Sequence, residues 1–401
     1  MIAFAITFIA LVFGLHIMLV NIDVGLGVYI PLLKREGEKH NKPELVFEAK
    51  RLMNYYAATY ATAGVFATAF TVGLLAFFPD FLWFLGTALL IPISLAIPVV
   101  ALRLTLISAY WYSWDKIDEN KHYLVGLLLA STSFLVPLLF RTVFAFLNTG
   151  QGVNVITDAQ GNITSITFNF WEYLFNPTFW PLLFKTLAAA FAVTSFSLAS
   201  LYTYRLTKNK GDKEVNILLI RRHLSIGIWL LFSEFIFGFW YLATLSSKAR
   251  LKFTNVVGSW FGYTPNWADL SWLFLFKLLL VSFQVYVALR LLTYSIKGEE
   301  INFAKKPFSA LIIWLGPVSI ITVLTGELLN MLSHLPYFVV AKFTDLPFNN
   351  AFTSVNQFAI GTDVIIVTII ILIPLLIAAA LLFYLIFTGV IGPRPEPTKE
   401  P

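Results

Sequence analysis

No cysteine occurs among the 401 residues, and charged side chains make up only 12% of them. The first absence removes disulfides, iron–sulfur clusters, thiolate haem ligands and Cys-based zinc sites together. The second removes a water-facing surface, because a soluble domain carries roughly a quarter charged residues. Histidine is scarce as well. The five are His16, His40, His122, His223 and His334, and no two share a helix at the spacing a metal site needs. No Gly-rich phosphate loop stands between a strand and a helix, so a nucleotide site is not expected. A cleavable signal peptide is not expected either, since the first apolar run starts at Met1 without a basic lead and outlasts a signal core.

What is present is apolar. Hydrophobic residues reach 58%, with 39 Phe, 16 Tyr and 11 Trp, as suits lipid-facing and interfacial positions. A span needs about 20 mainly apolar residues. Nine stretches qualify, roughly 2–33, 53–78, 81–113, 123–146, 179–206, 216–245, 268–296, 307–332 and 358–390. The chain is therefore expected to be an all-α, polytopic membrane helix bundle of about nine transmembrane helices. One transmembrane unit would occupy 1–390, followed by a disordered Pro-rich tail at 391–401. Phe78-Pro79-Asp80 makes a tight turn between spans two and three, and the long connection at 147–178, rich in Gly, Asn and Thr, is expected to lie on the surface. No internal repeat is evident, which leaves an inverted-repeat transporter without direct support.

The net charge of +6 does not point to nucleic acid, because the basic residues sit mostly in short loops between apolar runs. They read as topology signals. With the N-terminus outside and the C-terminus cytoplasmic, nineteen Lys and Arg fall on the cytoplasmic side, against Lys248, Arg250, Lys252 and Lys342 outside. The sequon Asn162-Ile163-Thr164 then lies outside, where glycosylation occurs. The expected location is the plasma membrane, as a multi-pass protein.

Charges at bilayer depth cost a few kcal/mol each and need a reason. The candidates are His16, Asp23, Arg103, Lys185, Glu234, Lys277, Arg290 and Glu327. Glu234 and Glu327 suit proton-relay carboxylates or, more simply, partners for Lys185, Arg103 or Lys277. Arg290 lies near a span end and is placed to snorkel. His16, mid-span in Phe13-Gly14-Leu15-His16-Ile17-Met18, suits either a hydrogen-bonded core position or a ligand.

Three stretches together resemble subunit I of the cytochrome bd quinol oxidases. The first runs from Ile6 to His16 and on to Gly25-Leu26-Gly27; the family carries a haem-ligating His at this place. The second is Phe175-Asn176-Pro177-Thr178 through Lys185-Thr186, similar to the family's Asn-Pro opening of helix five. The third runs from Gly326 to Ser333-His334-Leu335-Pro336-Tyr337 and resembles the family's Gly-Arg-Gln-Pro-Trp region; Tyr112-Ser113-Trp114-Asp115-Lys116 resembles the end of its helix three. The resemblance covers most of the chain at low identity.

It also implies losses. The His and Met that hold the family's low-spin haem correspond here to Lys185 and Leu279, its helix-three carboxylates to Leu95 and Arg103, and the Glu after the Pro-Trp motif to Ala341. The connection at about 246–267, equivalent to the family's quinol loop, is short and lacks the expected acidic residue near Lys248-Ala249-Arg250-Leu251-Lys252. Only His16 remains as a candidate ligand for haem b.

The resemblance thus implies a ligand-poor paralogue of subunit I, of the archaeal kind that pairs with a catalytic subunit. Such a chain would bind little or no haem and would support the catalytic partner in a heterodimer, with small single-span subunits, membrane lipids and quinone as further partners. The small residues Ala188, Ala189, Ala190, Gly25 and Gly27 are expected contacts for helix packing. Two other readings remain open: a haem b-carrying electron-transfer subunit using His16, and a transporter or channel with a buried charge path through Lys185, Glu234 and Glu327.

Overall fold

The computed structural model describes residues 2–297 and 301–355, together with isolated positions up to 385. The described chain is almost wholly helical. Eleven helices run in order: α1 (Ile2–Lys39), α2 (Pro43–Phe77), α3 (Pro79–Ala88), α4 (Leu90–Tyr112), α5 (Glu119–Thr149), α6 (Phe170–Leu174), α7 (Phe179–Thr207), α8 (Lys213–Lys248), α9 (Arg250–Val257), α10 (Ser271–Ile296) and α11 (Phe308–Leu332). Eight of them, α1, α2, α4, α5, α7, α8, α10 and α11, are long and apolar enough to cross a membrane. The expected all-α polytopic bundle is therefore observed. The ninth stretch, at 358–390, and the tail at 391–401 lie outside the described residues.

Local signals set the helix ends. Pro43 and Pro79 open α2 and α3 at the first helical position, where a missing N–H costs nothing. The Asp118 carboxylate accepts from the amides of Asn120 and Lys121 and starts α5, and Asp212 caps α8 through the amide of Val215. Gly150 ends α5 in the left-handed conformation, at φ 68°. The expected third span is broken: Leu89 leaves the helix at φ −114°, ψ 27°, between α3 and α4. Pro92, three residues on, has no N–H to return to the carbonyl of Ala88, so a continuous helix would lose that bond.

The connection at 147–178 holds more structure than a surface loop. Val153–Thr157 (β1) and Ile163–Phe168 (β2) form an antiparallel hairpin, followed by α6. At the hairpin turn, Asp158 accepts from the amides of Gln160 and Asn162 and from the Asn162 side chain at 3.0 Å, and these bonds hold its carboxyl below the usual range. Sequon residue Asn162 is thus engaged at an exposed tip.

Two apolar cores occupy opposite ends of the bundle. One gathers Phe8, Phe77, Phe78, Phe84 and Phe146 under the hairpin. The other gathers Leu33, Leu52, Tyr56, Tyr110, Tyr202 and Leu219 at the far end. Helix α1 runs through both. It meets α7 and α5 through glycines: a methyl group at Gly25 would stand 2.3 Å from Oγ1 of Thr194, and one at Gly27 2.5 Å from Oγ of Ser133. Gly25, Gly27, Ala188 and Ala190 therefore pack inside this chain, correcting their assignment as contacts for a partner. Between the two cores lie the intramembrane polar groups.

Candidate functional site

The opening of α7 is tied to the end of α5 by the buried Asn176. Its side-chain amide donates to the Ala145 carbonyl at 3.1 Å and to Thr149 at 2.6 Å, while its Oδ1 accepts from the amide and hydroxyl of Thr178. This lock sets the rotation of α7, and two turns later Lys185 points into the bundle. Opposite it, Glu234 on α8, Lys277 on α10 and Glu327 on α11 face the same space. The fifth wall is α9. Ala249 breaks the line of α8 at φ −142° and turns the chain inward. The Asn255 side chain then holds α9 against the end of α11, donating to the carbonyls of Ser333 and Leu335 at 3.2 and 3.0 Å.

That anchoring drives Lys252 into the interior, where it is 1% exposed. Its ammonium meets three acceptors: Oδ1 of Asn148 at 2.8 Å, Oδ1 of Asn330 at 2.6 Å and Nε2 of His334 at 2.7 Å. His334 is the neutral acceptor here, because its Nδ1 donates to the Phe338 carbonyl at 3.0 Å. Burial pushes the Lys252 ammonium well below its usual value, and burial with the neighbouring Lys252 pushes His334 down likewise. Three acceptors match the three donors of an ammonium, so the cage favours the charged form that burial opposes.

Beside this cage, Nη2 of Arg141 contacts Oε1 of Glu327 at 2.9 Å. Glu327 is thus the partner of Arg141, rather than of Lys185, Arg103 or Lys277 as the sequence suggested. Together these groups line a cavity of about 230 Å³. Its cations are Arg141, Lys185, Lys252 and Lys277, and its carboxylates are Glu234 and Glu327. Among the described residues, Lys185 and Lys277 have neither a hydrogen bond nor an ion pair, and Oε1 of Glu234 is buried without a partner.

Arg103 stands apart, in a second polar cluster between α1, α2, α4 and α5. It donates to the carbonyl of Asp23 at 2.9 Å, to Ser133 at 3.0 Å and to Thr132 at 3.3 Å, and lies over the rings of Tyr56 and Tyr60. Thr59 donates to the Asp23 carboxylate. Leu95 and Leu279 turn outward, at 52% and 62% exposed, so neither reaches either cluster. His16 lies in neither. Its Nδ1 bonds the Ala63 carbonyl at 2.9 Å, which leaves Nε2 as the free nitrogen.

The haem fit differs between the two places. The cavity wall carries no His, Met or Cys among its described residues, and its only nitrogen bases are lysines and one arginine. These are not the donors that usually hold haem iron. At His16 the hydrogen-bonded tautomer is the one a ligating imidazole adopts, though a core histidine adopts it equally. Sequence reasoning missed Lys252, taken as a loop cation outside, and its cage. One signal was available: Asn330 and His334 follow Glu327 by three and seven residues, a helical spacing, with His334 in the turn just beyond α11.

The family model for cytochrome bd terminal oxidase subunit I matches residues 4–272. A search of the curated proteins found no match. Among solved structures, the bd oxidase from Geobacillus thermodenitrificans is similar over 97% of this chain and 98% of that one, with a TM-score of 0.79 and 17% identity. The shared fold thus extends beyond the matched segment, through α10 and α11.

Proposed function

Because the chain belongs to the cytochrome bd terminal oxidase subunit I family, we propose that it is a ligand-poor paralogue of subunit I within a bd-type quinol oxidase complex of the plasma membrane. In this reading it pairs with a catalytic subunit I, with N-terminus outside and C-terminus cytoplasmic, and oxygen is reduced in the partner. The observation that carries it is the cavity wall: Lys185 stands where the resemblance puts a haem-ligating His, Lys277 faces in from α10, and no usual iron ligand lines the space among the described residues. The stretch 246–267, which carries no acidic residue, and the outward Leu279 and Leu95 agree with it. Archaeal origin and companion single-span subunits belong to the same reading.

The test is a pyridine haemochromogen spectrum on the complex purified from membranes, with each subunit quantified. The expected result is that a co-purifying second chain accounts for all haem and that this chain alone is colourless. Deleting this chain should disperse the complex; an unchanged oxidase without it would sink the proposal.

The free Nε2 of His16 favours one second reading, a single haem b held by this residue. There the protein would hold the imidazole by its Nδ1 bond to Ala63, and the haem would supply electron transfer. An unaltered haem spectrum in His16→Ala removes that reading. The transporter reading requires flux through Lys185, Glu234 and Glu327, which share the cavity; proton flux in liposomes lost in Glu234→Gln would support it.

A further inference from the structure

The cavity holds four cations against two carboxylates. Arg141 and Glu327 answer each other, and Lys252 is satisfied by three neutral acceptors. Lys185 and Lys277 remain, with one carboxylate, Glu234, and no contact among the described residues that discharges them. Even a full pairing with Glu234 would leave one ammonium without a counter-charge. An unpaired ammonium at this depth costs several kcal/mol, so a retained pair calls for an anion from outside the chain.

The path to the site restricts that anion. Helix α8 packs on α7 and α10 packs on α11, with little contact between α8 and α10. Phe239 on α8 and Leu278 on α10 line the cavity while being 68% and 37% exposed, and a side chain at Gly238 would meet open space. The gap between these helices therefore opens at the apolar surface of the chain. Most of the remaining wall is hydrocarbon, including Leu182, Ala189, Val193, Leu242 and Val281, with Gln284, Ser319 and Thr322 as neutral polar points. On α11, Gly326 makes room for Lys277, whose Nζ would stand 2.9 Å from a methyl group there.

We propose that this cavity binds the anionic headgroup of a membrane phospholipid, with Lys185 and Lys277 on the phosphate and the hydrocarbon tails leaving between α8 and α10. A phosphate offers several acceptor oxygens to two ammonium groups, and a tail fills the apolar gap that water and free anions do not. The inference needs no haem and stands apart from the assignment as a supporting subunit. It places a lipid where the resemblance places a cofactor.

The test uses the full chain, purified in mild detergent with whatever co-purifies, stripped of lipid and titrated with phosphatidylglycerol or phosphatidylcholine under native mass spectrometry. The expected result is one phosphatidylglycerol held per chain, about tenfold more tightly than phosphatidylcholine. Lys185→Gln with Lys277→Gln should lower that retention about tenfold or more, since each lost contact is charge-assisted. Lys185→Arg with Lys277→Arg should keep it. Equal retention of both lipids overturns the proposal, as does retention unchanged in the double Gln variant. Displacement by millimolar inorganic phosphate overturns it in favour of a free-anion site. A Soret band on this chain that the double Gln variant loses overturns it in favour of haem. Should the double Gln variant not fold, the comparison of the two lipids and the phosphate competition on the unaltered chain still decide.

Discussion

The Arg103 cluster and the central cavity bury charge at similar depth and resolve it in opposite ways. Around Arg103, three hydrogen bonds, to a backbone carbonyl and two hydroxyls, and two aromatic faces lie close by, drawn tight by the absence of a side chain at Gly27. In the cavity, only Arg141 and Lys252 are answered from within the chain, and two lysines face open space. A buried charge with nearby partners is structural, because removing it strands those partners. A buried charge facing a void weakens the fold it sits in, and its persistence points to a ligand.

This contrast can be broken or sharpened by substitution. The largest effect is expected from Arg141→Gln, which strands the Glu327 carboxylate and should cost about 3–5 kcal/mol in detergent unfolding. Arg141→Gln with Glu327→Gln should recover most of that loss. Arg103→Met comes next, leaving the Asp23 carbonyl and two hydroxyls without their donor, for a loss of about 2–4 kcal/mol. Lys277→Met in the lipid-stripped protein should change stability by less than about 1 kcal/mol, or raise it, because that ammonium makes no hydrogen bond or ion pair among the described residues. A cost for Lys277→Met equal to that of Arg103→Met would break the distinction.

The smallest effect concerns the connection that carries α9. Bonds from Ser259 and Ser271 lower the Asp269 carboxyl to about 2, with the carboxylate accepting from Ser271 Oγ at 2.6 Å and from Ser259. A carboxyl depressed below its unfolded value of 3.8 lends stability above that value, and the contribution is lost as pH falls towards about 2. Hydrogen-exchange protection across 258–271, taken relative to the intrinsic rate at each pH, should therefore fall between pH 4 and pH 2, and Asp269→Asn should lower it at neutral pH while sparing Lys252. Because Asp269 is exposed, the expected change is local, without a global loss of stability.

Much of the fold was legible beforehand. Eight of the nine expected spans coincide with long apolar helices, and the Pro79 turn and the Asn176-Pro177 opening of α7 stand where their motifs place them. These signals are local: twenty apolar residues, a proline or a capping side chain determine an element without reference to the rest. Lys185, Glu234, Lys277 and Glu327, marked in the sequence as intramembrane charges, all line one cavity. The pairing was not legible. Arg141 stands 186 positions from Glu327 in sequence, and Lys252 stands 104 from Asn148 and 82 from His334.

The hydropathy of this sequence, by itself, determined that the chain lies in a membrane as a helical bundle, because in lipid an unbroken apolar run of about 20 residues satisfies its own backbone as a helix. Its motifs pointed to the cytochrome bd oxidase subunit I family, which the family match over residues 4–272 bears out. Which of its buried charges are answered and which face open space was decided only by the tertiary structure. Helix rotation and the inward turn at Ala249 set those distances, and neither leaves a mark in the local pattern of residues.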